Sequence, residues 1–423
     1  MNTTRVPFTE PGAYEPSVLA DYYDSLHSSD VSSFLDEKTG MRAVWRYDDV
    51  EKIIKGADPA VSNRNTLDPL TPFPKFATHV TAIPHIAHLA TVPKVINNAD
   101  KATHSTVMKA MFARPRGLSM RADATHTNFG EMITRRVEAA ADALAAAASD
   151  TGGPVDFESI FARPLASGVI SELLGFPAEE EGQVKAWADA HIALLARILE
   201  RPDRVANVRG LADLSRACRR LVAARAEDPA EDLATHLLAQ GLTPKLSAAA
   251  LMTVMVAGYS SSFGALLNST RYLLSDEGRE HWDLLREPER VPGIVEDILR
   301  KETGVVAWRR YAEQDVVLAD DSVVPKGSSI FIMIGAANRD PRRFPNPHAV
   351  LAERAGSNGT KVITFSSGPH QCAGREIAKL EITTALTTLR DRFPDLRLAF
   401  PDNGISYDPD YMLRTPQTLP VRL

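Results

Sequence analysis

Cys372 stands in the stretch FSSGPHQCAG, residues 365–374, two residues after His370 and between Gly368 and Gly374. It is one of only 2 cysteines in 423 residues. The two glycines allow unusual backbone angles and close approach by a flat ligand, and a helix starting just after them would aim its first amides at the sulfur. Those features favour a thiolate. With no second cysteine or CxxC nearby, the sulfur lacks the partners of a structural zinc or iron–sulfur site. Three readings stay open on motif shape alone: single-thiolate ligation of haem iron, a nucleophile activated by His370, and a buried structural cysteine.

The other groups with metal or redox potential read more plainly. Cys218, in LADLSRACRRLVAAR, falls near Leu214 and Leu221 at helical spacing, which predicts an inert, partly buried thiol. His79, His85 and His88 crowd into HVTAIPHIAHLATVPKV. No carboxylate or cysteine there completes a coordination set, so they are expected to line a pocket or the surface.

These residues need a scaffold, and the patterning predicts a mainly α fold with small β-sheets. GEMITRRVEAAADALAAAASD and REIAKLEITTALTTLRDRF repeat good helix formers at spacings of three and four. Strand signals are short, in MRAVWRY and in the segment from Asp315 through Ala337. No linker or internal repeat divides the chain, so residues 1–423 are expected to form one domain with a short N-terminal extension of about 1–13. A net charge of −6 and pI near 6.0 argue against nucleic-acid binding. No run approaches about 18 uninterrupted apolar residues and the N-terminus lacks a signal-like stretch, so a cytoplasmic setting away from membranes is expected.

FSSGPHQCAGREIAKLE resembles the haem-binding signature of the cytochrome P450 superfamily, with Phe365, Gly368, His370, Cys372, Gly374, Ala378 and Glu381 at its named positions. The likeness extends over nearly the whole chain from about Tyr14, including RRYAEQDVVL and VPKGSSIFIMIGAANRDPRRFPNP. It implies the cytochrome P450 fold, with haem b between a long central helix and the cysteine loop. Cys372 would then be the axial thiolate of the iron, with Phe365 packed near the sulfur and Gly374 beside it. His370 and Arg310 would be cationic donors to the haem propionates.

Departures from the family pattern are as informative as the matches. In the E-x-x-R element, Asp297 replaces the glutamate three residues before Arg300, with Glu296 as a second possible partner and Arg354 completing the ion-pair network. In LMTVMVAGYSSSFGALL, Ala257 and Gly258 match the distal helix, but Ser260 stands where an acid is expected and Ser261 where a threonine is. A hydroxyl remains at the oxygen site and the proton-delivering carboxylate is lost. The alternative for these serines is bonding to their own helix backbone. Near His104 the propionate-binding pattern is imperfect: Met108 takes the cation position and Lys109 follows, or Lys101 serves in another register. By the same resemblance, Val256, Tyr259, Val306, Trp308 and Met412 are candidate substrate contacts.

The resemblance implies a soluble, bacterial-type haem-thiolate monooxygenase acting on a small or medium organic substrate. The chain contains no flavin domain or Cys₄ pattern, so electrons are expected from a separate ferredoxin and ferredoxin reductase docking near Arg375, Lys379 and Lys109. The alternatives are a peroxide-driven or oxidative-coupling enzyme, motivated by Ser260, and a non-catalytic scaffold of this fold, which would have no need of Cys372.

Overall fold

The structure is a computed structural model that describes residues 15–37, 39–55, 60–63, 80–95, 99, 101–113, 128–197, 199–354, 361–401 and 404–423. The expected N-terminal extension and His79 lie outside the described residues.

Along the chain, helix α1 (Pro16–His27) leads to the hairpin β1 (Ser33–Asp36) and β2 (Met41–Val44), then α2 (Tyr47–Ile54) and β3 (Val61–Ser62). Helices follow as α3 (Ile83–Leu89), α4 (Lys101–Phe112) and α5 (Asn128–Thr151). After β4 (Val155–Asp156) come α6 (Arg163–Leu174), α7 (Glu181–Ala196), α8 (Arg201–Glu227), α9 (Leu233–Ala239) and α10 (Pro244–Leu274). Next are α11 (Arg279–Leu284), α12 (Val291–Lys301), β5 (Trp308–Ala312), β6 (Val316–Val317), β7 (Val323–Val324), β8 (Ser329–Ile332) and α13 (Ile334–Ala337). The chain closes with α14 (Arg375–Arg392), β9 (Arg397–Leu398) and β10 (Pro420–Arg422).

The mainly α reading and its small sheets are what the chain adopts. One sheet has the order β1-β2-β8-β5-β3, with β2 parallel to β8 and the other pairs antiparallel. A second joins β4, β10 and β9, and β6 pairs with β7 alone. Strand β5 carried no expectation, since its two arginines interrupt the apolar run. Pairing of Trp308 with Ile332 and Arg310 with Ile330 on β8 makes it a strand.

Helix α10 organises the rest. Thr243 caps it by accepting from the Leu246 amide at 3.3 Å, and Pro244 occupies its first turn, where a missing N–H costs nothing. Its 31 residues are long and apolar enough to cross a bilayer, although serine, threonine and glycine interrupt the apolar runs. Here α6, α7, α8 and α9 pack along it instead, and Leu251, Met255, Tyr259, Leu266 and Leu267 are fully buried. Enclosed by other helices, this apolar helix is a core element of the fold.

Candidate functional site

The cysteine loop is a tight turn laid against the start of α14. The Cys372 amide donates to the Phe365 carbonyl at 2.9 Å, closing the loop. Ser366 and Gly368 take left-handed backbone angles of φ 61 and φ 72. Only glycine fits at 368, because a Cβ would lie 2.7 Å from the Lys55 carbonyl oxygen. A Cβ at Gly374 meets nothing within 4 Å and would project into open space.

That space is a cavity of about 630 Å³. Cys372 is exposed only to it, deep inside the protein. Burial pushes the thiol up, against the backbone amides of Gly374 and Arg375 and the Arg375 charge, which pull it down. The thiolate expected from helix placement therefore needs a cation on the sulfur, and a bound metal ion would be one. Cys218 is fully buried and its thiol is pushed up to about 12 by burial, which makes it inert.

At one edge of the cavity, Arg310, His370 and His104 converge. The imidazoles of His104 and His370 are 4.5 Å apart, centre to centre. Arg310 is buried and donates to the Arg309 carbonyl at 2.8 Å. Burial drives its guanidinium down to about 10, with no carboxylate offsetting it. His370 is likewise pushed down to about 4, by burial first and then by His104 and Arg310. Burial and its two basic neighbours thus disfavour a charge on His370, the group expected as a cationic donor, as long as no acid faces this corner. Among the described residues, His370 Nδ1 and His104 Nε2 have no partner. Lys109, expected as the accompanying cation, is exposed and points away; Met108 faces the cavity instead. Lys101 is also exposed. On one helical face, residue 108 follows 104 by one turn and 109 does not.

Across the cavity runs α10, with Val256, Ala257, Gly258, Ser261 and Ser262 in the wall. A Cβ at Gly258 would lie 2.7 Å from Ile170 Cδ1, so glycine also admits α6 closely against α10. The Ser261 hydroxyl donates to the Ala257 carbonyl at 2.5 Å, so the backbone-bonding and cavity-facing readings of this residue both hold. Ser260 is different: it is buried and faces a second cavity, of about 230 Å³, with Arg163, Asp189, Arg197, Asp408 and Asp410. Ser260, expected at the position of the proton-delivering acid, is turned away from the wall that holds Ser261 by helix rotation, about 100° per residue. Asp410 pairs with Arg197 at 2.5 Å, and burial raises its carboxyl nonetheless. Asp189 binds Lys185 at 3.1 Å and lies 3.9 Å from Arg163.

Behind the cysteine loop, Asp297 forms the ion-pair network itself. It accepts from Arg300 Nε at 2.6 Å, from Arg354 Nε at 2.9 Å and from the Leu351 amide at 2.7 Å. Arg300 also donates to the carbonyls of Asn338, Pro347 and Ala349. Glu296, expected as a reserve partner, pairs with Lys379 instead.

The candidate substrate contacts divide. Val256 and Trp308 line the large cavity. Tyr259 is fully buried on the other side of α10, its ring tilted against that of Phe263 and its hydroxyl accepting from Arg163 at 3.1 Å. Val306 and Met412 are buried away from the cavity, while Val305 and Leu413, bridged to each other, take those places in its wall. A one-residue shift in extended chain reverses the face. Of the histidines in the upstream segment, His88 meets Ser215 Oγ at 3.2 Å, and no cluster able to hold a metal ion occurs among the described residues. Glu381 was legible only as a motif position. It is fully buried, lines the cavity, has Oε1 without a partner among the described residues, and is pushed up to about 8 by burial.

These residues fit a flat, iron-bearing, acidic ligand. One sulfur opens into the cavity beneath a long helix, unmatched donors gather at its edge, and a glycine leaves room beside the sulfur. That combination defines a haem-thiolate site. The family model for Cytochrome P450 matches residues 274–396. Mycinamicin IV hydroxylase/epoxidase of Micromonospora griseorubida is 30% identical over 298 residues, 69% of this chain and 72% of that protein. 6-Deoxyerythronolide B hydroxylase of Saccharopolyspora erythraea is 31% identical over 318 residues, 71% and 76% of the two chains. The solved structure of cytochrome P450 PksS from Bacillus subtilis superimposes with a TM-score of 0.77 at 25% identity, covering 98% of this chain and 99% of that one. The chain belongs to the cytochrome P450 family. It is a haem b enzyme of the monooxygenase class.

Proposed function

We propose that this enzyme inserts one oxygen atom from O₂ into, or otherwise oxidises, a small or medium organic molecule, with electrons from a separate ferredoxin and its reductase. The observation that carries the reading is the placement of Cys372 in the floor of a largely apolar cavity whose opposite wall is α10. Haem bound there supplies the dioxygen chemistry. Cys372 would hold its iron, with Phe365 and Gly374 against it, and Arg310, His370 and His104 would hold its carboxylates. Val256, Val305, Trp308 and Leu413 would shape the substrate chamber and exclude water. Ser261 would present a hydroxyl oxygen to whatever binds between α10 and the sulfur.

Proton supply separates this from a peroxide-driven reaction. Asp189, Asp408 and Asp410 around Ser260 offer carboxylates that the helix itself lacks, which favours the O₂-driven reading. We further propose one domain and a cytoplasmic setting, where reducing conditions keep Cys372 free of disulfides.

The test is Cys372→Ala. It should abolish the thiolate-type absorption of the reduced carbon monoxide complex, while Cys218→Ala keeps it and costs roughly 1 kcal/mol of stability. An unchanged spectrum in Cys372→Ala would remove the axial-ligand assignment.

A further inference from the structure

One polar side chain in the large cavity serves neither the cysteine loop nor the donors around Arg310. His191 lies in the third turn of α7, is 8% exposed, and contributes to the cavity wall. Neither ring nitrogen has a hydrogen-bond partner among the described residues. The wall it shares is largely apolar, with Ile192 and Leu195 from its own helix and Met252 and Val256 from α10. Thr253, also in that wall, already gives its hydroxyl proton to the Ala249 carbonyl at 2.9 Å.

An unpaired buried imidazole is a standing cost, and a leucine or phenylalanine would fill the same wall without it. A group kept at such a place is understandable if its partner arrives with the ligand. Its chemistry limits that partner. Burial alone pushes the ring down to about 4, with no acidic or basic neighbour contributing, so at neutral pH it offers one N–H donor and one bare nitrogen acceptor. A carboxylate ligand would bring a charge into a largely apolar wall with one neutral N–H to meet it, whereas an uncharged oxygen brings no charge to desolvate.

We propose that His191 is a substrate-binding residue, and that the substrate is an uncharged, predominantly apolar molecule whose hydroxyl or carbonyl oxygen hydrogen-bonds to it. This rests on the cavity being the substrate chamber. The hydrogen bond fixes which end of the molecule points down the cavity, while the apolar wall supplies most of the affinity.

The experiment compares four probes of matched shape: para-phenylphenol, para-phenylacetophenone, para-phenyltoluene and para-phenylbenzoate. Each is titrated into the haem-loaded protein, with binding read by the Soret shift and by calorimetry. The phenol or the ketone should bind roughly tenfold more tightly than the toluene analogue, the usual scale for a buried hydrogen bond left unmade. In His191→Phe that preference should vanish while the toluene analogue binds as before; His191→Gln, which keeps a donor and an acceptor, should restore part of it. Ligand-free His191→Phe should melt no lower than the parent, since it removes two unpaired polar atoms, whereas a merely structural histidine would be missed on heating. Equal affinities in the parent, a preference that survives in His191→Phe, or tightest binding of the benzoate would overturn the proposal. The carbon monoxide spectrum is recorded for each protein. Its loss in the parent would count against the haem-thiolate reading, and its retention without the preference counts against His191 alone.

Discussion

Ser260 shows how one residue's chemistry depends on the groups that face it. It sits on α10 one position before Ser261, yet looks into a polar chamber with Arg163, Arg197 and three aspartates. A hydroxyl there can pass a proton along but cannot store one. A carboxyl can do both. Ser260→Glu should therefore lower the hydrogen peroxide released per NAD(P)H in the ferredoxin-driven reaction. We expect at least about a factor of two, a small share of the ~10²-fold that a positioned acid supplies. The new side chain has Arg163 and Arg197 near it to offset its charge. Asp189→Asn should move the same ratio the other way. A ratio unmoved by both changes, with the carbon monoxide spectrum intact, would assign proton supply to another route.

At the scale of the element, α12 matters through a single turn. Asp297 and Arg300, three residues apart, bind each other and then reach out to Arg354, the Leu351 amide and three carbonyls. The loop after α13 is thereby tied to α12, and Asn338 continues the tie by donating to Thr364, next to Phe365. Both charged groups are buried to within 1% of full enclosure. Asp297→Glu would return the usual family residue, but it would add a methylene inside a fully enclosed ion-pair cluster. It should cost about 1–3 kcal/mol. Asp297→Ala should cost about 3–5 kcal/mol, since it strands the Arg300 charge. Denaturant unfolding measures both, and a stabilised Asp297→Glu would contradict the tight fit described here.

For the molecule as a whole, a net charge of −6 hides a local exception. Helix α4 lies beside the cysteine loop through the His104–His370 contact, and Lys109 is exposed on it. Arg375 is partly exposed at the start of α14, 3.5 Å from Glu376. Lys379, also expected to meet a redox partner, is engaged by Glu296 and is less available. If an acidic ferredoxin docks on this face, the electron-transfer rate should fall as salt rises from low values toward about 0.1 M, where screening reaches ~10 Å. Lys109→Glu should slow that rate roughly several-fold at low salt and much less at high salt, with the carbon monoxide spectrum unchanged. Stopped-flow reduction at two ionic strengths is the measurement. Equal rates for parent and variant at low salt would move the docking site elsewhere.

The sequence by itself determined what local neighbours determine. Gly368, Cys372, Gly374 and the first turn of α14 lie within ten residues or so, and their backbone preferences and mutual spacing define a sulfur-presenting loop wherever the rest of the chain goes. The helices near residue 130 and after Arg375, and the general dominance of helix, are legible for the same reason, since helical order depends on contacts three and four residues apart, whereas the long α10 is expected only through the family resemblance. Tertiary structure decided which faces look inward. Val305 and Leu413 line the cavity in place of Val306 and Met412 because a bridge between segments more than a hundred residues apart sets the register. Met108 faces the site and Lys109 does not, because α4 is rotated by its packing on α9. The carboxylates around Ser260 come from α7 and from the chain after β9, and His191 reaches the cavity only because α7 lies across α10. Such placements arise from long-range packing and carry no local pattern, so no spacing in the chain announces them.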